Sequence, residues 1–281
     1  MPRHTRRISP RQKRLGQVFL RDPSVVEHIL RCAHITPNEV VLEIGPGRGA
    51  LTGALAQHAG TLYAIEIDEQ YARALQQEFA HVPHVHILHA DARQYDYGQL
   101  PGPVATVANL PYSVGMRILQ HLFRFRTHLS RLCIMLQREV AARLLAAPAT
   151  SAYSALSVFF QYYASIQHNF EVSRHAFTPV PAVDSTVLTL VPFTSLPWPS
   201  QHEPFLFHLV QSAFAHRRKT LRANLLAASS LQLTRPQLVE MFTALHLTEH
   251  ARAQELHVSQ FVQLAAMLQA FLPDSHIPRR S

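Results

Sequence analysis

The stretch Val40-Val41-Leu42-Glu43-Ile44-Gly45-Pro46-Gly47-Arg48-Gly49 decides the fold of this 281-residue chain. Its first five residues are apolar except for Glu43, which predicts a buried strand. The three glycines that follow permit a sharp turn and let a ligand approach the backbone closely. A strand that leads through a glycine turn into a helix is typical of nucleotide-binding α/β folds.

The segments on either side continue this alternation. Strands are predicted at 61–67, 85–88, 104–108 and 132–136, and helices at 50–59, 69–80, 115–125 and 138–147. This order predicts an α/β fold with a doubly wound, mostly parallel sheet, in which ligands bind at the carboxyl ends of the strands. After a helix at 154–164, the segments 166–172 and 185–191 are predicted to close the sheet as an antiparallel pair.

Charge and composition divide the chain into three regions. Residues 1–21 are predicted to form a basic N-terminal arm, because arginine and lysine crowd the first fourteen positions. Residues 22–195 carry the α/β pattern and form the predicted catalytic domain, which a proline-rich linker at 195–200 follows. Residues 201–281 contain only helical patterns, at 204–216, 219–227, 235–245 and 259–271, and predict a small all-α C-terminal domain.

The bulk composition restricts the classes of partner. A formal net charge of +8 favours a polyanion such as a nucleic acid. No apolar run reaches the ~18 residues of a membrane span, so no membrane partner is expected. Cys32 and Cys133 are the only cysteines, which favours a reducing cytoplasm. The histidines near position 85 lack the cysteines or carboxylates of a zinc site, so no metal is predicted.

Three features at the ends of successive strands predict a nucleoside cofactor. Gly45 opens the glycine turn, Glu66 lies 17 residues beyond Gly49 (66 − 49), and Asp91 follows the third strand. A carboxylate about 20 residues beyond such a turn commonly accepts hydrogen bonds from ribose hydroxyls. Glu43 beside the turn disfavours a pyrophosphate and suits a sulfonium with an amino group. This pattern favours S-adenosylmethionine over NAD, although Glu43 could instead be a structural carboxylate held by backbone N–H groups.

The segment Asn109-Leu110-Pro111-Tyr112 follows the predicted fourth strand. Asn109 offers a side-chain acceptor, and the rigid φ of Pro111 holds the Leu110 carbonyl as a second one. Tyr112 supplies a flat apolar face. Two acceptors beside a stacking surface suit a ring with an exocyclic amine, such as adenine. The alternative is an ordinary strand-to-helix turn with Tyr112 in the core.

Taken together, six ordered segments resemble the rRNA adenine N6-dimethyltransferases that modify two adjacent adenosines near the 3′ end of small-subunit rRNA. The resemblance runs from about Arg11 to past Asn224. The segments that carry it are Leu15-Gly16-Gln17-Val18-Phe19-Leu20, Leu42-Glu43-Ile44-Gly45-Pro46-Gly47-Arg48-Gly49, Asn109-Leu110-Pro111-Tyr112, Met135-Leu136-Gln137-Arg138-Glu139-Val140, Phe177-Thr178-Pro179-Val180-Pro181-Ala182-Val183-Asp184-Ser185 and Arg217-Arg218-Lys219-Thr220-Leu221-Arg222.

The resemblance implies a Rossmann-like class I methyltransferase fold, S-adenosylmethionine as cofactor and S-adenosylhomocysteine as product. Cofactor contacts are implied at Val18, Leu20, Gly45, Glu66, Asp91 and Asn109. The family usually has Asn where this chain has Val18, so only a backbone contact is expected there.

The resemblance also implies the residues of the reaction and of RNA binding. Asn109, Leu110 and Tyr112 carry the chemistry, and Phe177 is expected to form the second face of a sandwich around the target base. Arg217, Arg218, Lys219 and Arg222 are expected to bind RNA, with Lys219 and Arg222 on one helical face.

The predicted partner is 16S rRNA in the immature 30S subunit, and the chain is expected to act as a monomer in the cytoplasm. Two alternatives remain open. One is a relative that methylates large-subunit rRNA and confers macrolide resistance. The other is a ribosome-assembly or transcription factor that keeps the fold without catalysis.

Overall fold

A seven-stranded sheet organises the first part of the chain in this computed structural model, which describes residues 18–271. The strands are β1 (Phe19–Leu20), β2 (Val40–Ile44), β3 (Thr61–Glu66), β4 (Val85–His89), β5 (Val104–Asn109), β6 (Leu129–Gln137), β7 (Ala164–Val172), β8 (Phe177–Thr178) and β9 (Ser185–Pro192). The sheet order is β4-β3-β2-β5-β6-β9-β7, whereas β1 and β8 form a separate antiparallel pair. Residues 1–17 of the predicted basic arm lie outside the described residues.

The α-helices alternate with these strands and then continue alone. They are α1 (Pro23–Ala33), α2 (Thr52–Ala56), α3 (Glu69–Glu78), α4 (Gly115–Leu122), α5 (Arg138–Leu145), α6 (Ala155–Tyr163), α7 (Glu203–Ala213), α8 (Leu221–Ala227), α9 (Arg235–Ala244) and α10 (Val258–Phe271). Asp22 and Asp68 cap α1 and α3 by accepting backbone N–H groups, as short acidic side chains do at helix N-termini. No helix in the described range 18–271 is long and apolar enough to span a membrane.

The strand order confirms the predicted mostly parallel sheet and places its switch point between β2 and β5. Parallel partners flank β2 on both sides, with Ile44 in register with Ile65 of β3 and Ala108 of β5. Antiparallel pairing appears where β9 joins β6. Since parallel strands end at one edge, the segments after β2, β3 and β5 meet there, where such sheets bind ligands.

The helix after the glycine turn is shorter than the predicted 50–59 segment and covers only Thr52–Ala56. Gly45, Gly47 and Gly49 all have positive φ, and the Gly49 amide donates to the Pro46 carbonyl at 2.9 Å. The turn therefore continues through residues that the apolar pattern assigned to the helix. The positive φ at Gly49 favours glycine, and a Cβ there would lie 2.8 Å from Leu75 Cδ2, so a larger residue would also displace the Leu75 side chain.

Within the described residues, internal contacts divide the chain into two units, 18–141 with 165–192, and 142–164 with 193–271. The predicted division at about 195 therefore omitted residues 142–164 from the helical unit. The reason lies in α6, whose aromatic residues pack within that unit. Phe159 contacts Phe207 of α7, and the Tyr163 hydroxyl donates to Glu203 at 2.7 Å.

The helix predicted at 219–227 begins later, at Leu221. Thr220 is its N-cap, with the hydroxyl accepting from the Ala223 amide at 3.2 Å. Lys219 therefore precedes the helix, and the prediction that it shares a helical face with Arg222 is wrong. A threonine hydroxyl is a good N-cap, so the helix begins at Leu221, after the basic run 217–219.

Arg131 links β6 to the end of α1 in the first unit. Its Nη1 and Nη2 donate to the two carboxylate oxygens of Glu39, at 2.5 and 2.8 Å. The same guanidinium also donates to the carbonyls of Ala33 and His34. The Arg131 hydrogen bonds lower the pKa of Glu39 to about 2, so this carboxylate stays ionised.

Candidate active site

A cavity of ≈ 350 Å³ lies at the carboxyl edge of β2, β3 and β5, within the first unit. This volume falls within the ~300–1,000 Å³ typical of small-molecule sites. Its wall includes all six predicted cofactor residues, namely Val18, Leu20, Gly45, Glu66, Asp91 and Asn109. Two of the four predicted catalytic residues also line it, Leu110 and the same Asn109. The topology thus brings together residues that are up to 92 positions apart (110 − 18).

Glu66 ends β3 and holds the glycine turn. Its Oε2 accepts from the Gly47 amide at 2.9 Å and its Oε1 from the Asp68 amide at 2.8 Å. Burial raises the pKa of Glu66, the neighbouring Asp68 charge adds to this, and the two amide hydrogen bonds oppose it. Each carboxylate oxygen keeps a further lone pair, so Glu66 can also accept from the hydroxyls of a ligand.

Glu43 is a buried carboxylate in the cavity wall, with 2% of its surface exposed. Its Oε2 has no hydrogen-bond partner among the described residues, so no backbone N–H there holds that oxygen. Burial raises the pKa of Glu43 to about 8; the Thr52 hydroxyl opposes this shift and the nearby Glu66 charge adds to it. The protein alone therefore favours the protonated group at neutral pH, and a positive charge beside the unpaired oxygen would favour the ionised form.

Asp91 follows β4 and is held by Arg93. The Arg93 side chain donates from Nη2 to Asp91 Oδ2 at 2.6 Å and from Nε to Oδ1 at 2.9 Å. These hydrogen bonds lower the pKa of Asp91, which keeps it ionised at neutral pH. The Tyr97 hydroxyl donates to the Ala92 carbonyl at 2.6 Å and steadies the same loop. Asp91 thus has a fixed position, with its remaining lone pairs available to a ligand.

Asn109 and Leu110 form a stiff turn at the end of β5. The Leu110 amide donates to the Met135 carbonyl at 3.2 Å, and the Pro111 carbonyl accepts from the Gly115 amide at 2.7 Å. No donor among residues 18–271 reaches the Asn109 carboxamide oxygen or the Leu110 carbonyl. A Cβ at Gly115 would lie 3.0 Å from Leu110 Cβ, so a small residue there lets α4 pack against the turn. Two fixed acceptors are therefore available at the cavity.

Tyr112 and Phe177, the two predicted stacking residues, are placed differently. Tyr112 is half-buried, is not part of the cavity wall, and its hydroxyl lies 2.9 Å from Ser185 Oγ. Phe177 is fully buried in the core of the first unit and pairs with Leu20 through the β1–β8 ladder. A ring with no exposed face cannot stack on a base in this conformation. The prediction of direct stacking by Phe177 is therefore corrected to a core role.

Phe19 and Arg48 also line the cavity, and the sequence analysis did not single out Phe19 as a site residue. The Arg48 guanidinium lies 4.4 Å from the centroid of the Phe19 ring, a cation–π contact, and the Phe19 ring meets Tyr71 edge-on. Ser113 and Ile118 also line the cavity. Phe19 belongs to the first of the six family-like segments, which was the available signal.

In the second unit, the four predicted RNA-binding residues separate into two pairs. Arg217 donates to the carbonyls of Tyr153 at 2.7 Å and Ser151 at 2.8 Å, and Arg222 pairs with Glu249 at 3.0 Å. Arg218 and Lys219 are exposed and lack a side-chain partner within the described part of the chain. Arg218 and Lys219 are therefore available to contact a polyanion, whereas the Arg217 guanidinium already donates to backbone carbonyls.

The described residues contain no cluster of three or more His, Cys, Asp or Glu side chains able to hold a metal ion. The acceptors of the cavity instead fit an organic group. Glu66 and Asp91 suit hydroxyl and amine donors, and the unpaired Glu43 oxygen suits a positive charge. This set matches a nucleoside that carries an amino group and a sulfonium.

The fold is similar to those of known RNA methyltransferases. The structure of a dimethyladenosine transferase from Plasmodium falciparum superimposes with a TM-score of 0.74 at 22% identity, covering 90% of this chain and 98% of that one. The 23S rRNA methyltransferase ErmE gives a TM-score of 0.68 at 24% identity, covering 89% and 99%. At these identities the likeness concerns the fold.

Sequence relatives are more similar. The ribosomal RNA small subunit methyltransferase A of Shewanella frigidimarina is 38% identical over 92% of this chain and 94% of that protein. That of Pseudomonas fluorescens is 36% identical over 92% and 93%. The family model for ribosomal RNA adenine dimethylase matches residues 8–270. This chain belongs to the ribosomal RNA adenine dimethylase family.

Proposed function

We propose that this enzyme dimethylates N6 of two adjacent adenosines near the 3′ end of 16S rRNA in the immature 30S subunit. Family membership supports rRNA adenine dimethylation with S-adenosylmethionine as methyl donor. The small-subunit target is supported by the names of relatives at 36–38% identity. The proposal includes action as a monomer in the cytoplasm, where ribosomal subunits mature.

The cavity residues would hold the cofactor through complementary groups. Glu66 would accept hydrogen bonds from the ribose hydroxyls, and Asp91 would accept one from the adenine amine. Glu43 would interact with the positively charged amino acid part. Val18 and Leu20 add an apolar wall. S-adenosylmethionine, when bound, supplies an electrophilic methyl group.

The two free acceptors of the Asn109–Leu110 turn carry the proposal. The N6 lone pair of adenine is delocalised into the ring, so the amine is a poor nucleophile. Asn109 Oδ1 and the Leu110 carbonyl can each accept one N6–H bond and draw the nitrogen toward tetrahedral geometry. The lone pair is then localised for attack. These fixed carbonyl dipoles also stabilise the positive charge that develops on N6.

This arrangement requires no ionisable base before methyl transfer, because the N6 proton becomes acidic only afterwards and can pass to water. After the first transfer N6 keeps one hydrogen, and one acceptor still orients it. After the second transfer no N6 hydrogen remains, which explains why the reaction stops at the dimethyl product.

The target adenosine must leave its stack to reach this turn. Tyr112 is the proposed stacking surface for the extruded base, and such stacking contributes ~1–3 kcal/mol per base. In the second unit, Arg218 and Lys219 are the proposed phosphate contacts, because both are exposed and unpaired within residues 18–271. Arg217 and Arg222 then act mainly by shaping that unit.

The test is methyl transfer to ribosomal particles. The purified enzyme is incubated with S-adenosylmethionine labelled in its methyl group and with small subunits that lack the two dimethyladenosines. RNA fragments are analysed by mass spectrometry, with large subunits as the parallel substrate. N6,N6-Dimethyladenosine at two adjacent positions near the 3′ end of 16S rRNA is expected. Modification of large-subunit RNA instead would support the alternative target, and absence of any transfer would support a non-catalytic role.

A further inference from the structure

We infer that Ser185 is a positioning residue for methyl transfer, whose hydroxyl holds the ring of Tyr112 in the orientation that receives the target base. The inference rests on the proposed function, because it concerns the stacking surface of that site. Ser185 does not line the cavity and touches no reacting atom, so any effect on the reaction must pass through Tyr112.

The contact joins two segments that are 73 positions apart. The Tyr112 hydroxyl and Ser185 Oγ are 2.9 Å apart, a normal distance for hydroxyls that share a hydrogen bond. Ser185 has 0% exposed surface, whereas Tyr112 is half-buried. A buried serine hydroxyl requires a partner, and Tyr112 provides it.

Ser185 is held firmly by the backbone around it. It is the first residue of β9 and lies in register with Gln137, the last residue of β6. Next to it, the Asp184 carbonyl accepts from the Arg138 amide at 3.0 Å. The hydroxyl of Ser185 therefore presents a fixed point to Tyr112 rather than a mobile one.

Tyr112 is fixed at its backbone end by the turn already described. Leu110 donates to Met135, and the Pro111 carbonyl accepts from Gly115. A tyrosine side chain still has two free torsions, so a fixed backbone alone leaves the direction of the ring open. The bond to Ser185 fixes the far end of the same side chain. Because the backbone and the hydroxyl of Tyr112 are both held, its ring has a fixed orientation when RNA binds.

Another hydrogen bond of β9 serves as a control for a purely structural role of the Ser185 contact. Thr189, also on β9, accepts from the Asn169 side chain at 2.8 Å. Neither residue lines the cavity. Removing the Thr189 hydroxyl also breaks a side-chain hydrogen bond of β9, but four residues along the strand from Ser185.

The experiment is a double-mutant cycle on single-turnover methyl transfer to small subunits that lack the modification. Ser185→Ala, Tyr112→Phe and the double variant are compared with Thr189→Val, and S-adenosylmethionine affinity is measured by calorimetry for each. We expect each single variant to slow transfer by about 10-fold, since small misplacement of reacting groups is costly. The double variant should be no slower than either single variant. Cofactor affinity and the Thr189→Val rate should stay within about 2-fold of wild type.

Ser185→Thr keeps a hydroxyl and should restore most of the rate. If either Ser185 variant fails to fold in a thermal melt, Tyr112→Phe still decides the question, because it removes only an oxygen from a half-buried ring. Wild-type rates in Tyr112→Phe, or losses that multiply in the double variant, would overturn the inference. An inactive wild-type enzyme would instead contradict the proposed function, so the two failures are distinguishable.

Discussion

The carboxylate of Glu66 accepts a hydrogen bond from the Gly47 amide at 2.9 Å, so the end of β3 fixes the turn that follows β2. One side chain thus shapes the cavity and offers acceptors to a ligand in it. A Cβ at Gly47 would lie 3.1 Å from the Phe19 ring, so the turn is also closely packed on its other side. Contacts within the protein itself therefore hold the turn that lines the cavity.

Glu66→Gln should weaken S-adenosylmethionine binding by about 10- to 100-fold, since losing a hydrogen bond to a charged group costs ~1.5–3 kcal/mol. The new amide nitrogen cannot accept from the Gly47 or Asp68 amide, nor from a ribose hydroxyl. Calorimetric titration measures the affinity. A glutamine variant that binds the cofactor as tightly as wild type would remove Glu66 from the site.

Asn109→Ala should lower the single-turnover rate by about 100-fold or more, because an oriented dipole at the developing charge contributes ~2.7–4 kcal/mol. Its cofactor affinity should change by less than about 10-fold, since the lost oxygen acts on the N6 amine of the target adenosine. Asn169→Ala is the matched control, as that asparagine bonds Thr189 and is not part of the cavity wall. Equal rates for the two variants would contradict the role of Asn109.

Glu43 should make stability depend on pH. Its pKa is raised from 4.5 to about 8, so the folded state favours the protonated form. This contribution is fully present below pH 4.5 and is lost as the pH rises toward 8. Each pKa unit corresponds to about 1.4 kcal/mol. The unfolding free energy of wild type should therefore fall by a few kcal/mol relative to Glu43→Gln across this range. Unfolding free energies are measured by urea denaturation at each pH. If wild type and Glu43→Gln showed the same pH dependence, burial would not keep Glu43 protonated.

The Arg131–Glu39 pair should show the opposite dependence. The pKa of Glu39 is lowered from 4.5 to about 2, so its stabilisation is present above pH 4.5 and is lost as the pH falls toward 2. Glu39→Gln should cost about 1–3 kcal/mol of unfolding free energy at pH 7. The deficit should shrink as wild type is titrated below pH 4.5. A deficit that does not change down to pH 2.5 would exclude the ion pair as its source.

Substitutions at Arg217, Arg218 and Lys219 should affect either RNA binding or the thermal stability of the protein, depending on the residue. Arg218→Ala and Lys219→Ala should each reduce the salt dependence of RNA affinity by about one ion, with the melting temperature unchanged. Arg217→Ala should instead lower the melting temperature, because it frees the carbonyls of Tyr153 and Ser151. RNA affinity measured at several salt concentrations gives the first effect, and thermal melts give the second. If Arg217→Ala changed only the salt dependence, its guanidinium would be an RNA contact.

The sequence by itself determined the features that follow from neighbouring residues. The strand–turn–helix units at Gly45, Glu66 and Asn109 were recognisable because apolar runs and turn residues act locally. Their meeting at one edge followed from the parallel sheet that the alternation predicted. The cavity accordingly contains every residue predicted to contact the cofactor.

Only the tertiary structure decided what distant segments do to one another. Phe177 is buried through its pairing with β1, Arg217 is occupied by carbonyls more than 60 positions away, and Tyr112 meets Ser185 across 73 positions. An aromatic ring or a guanidinium has the same local pattern whether it faces a ligand or the core. The choice depends on which surfaces pack together, and no short stretch of sequence contains that information.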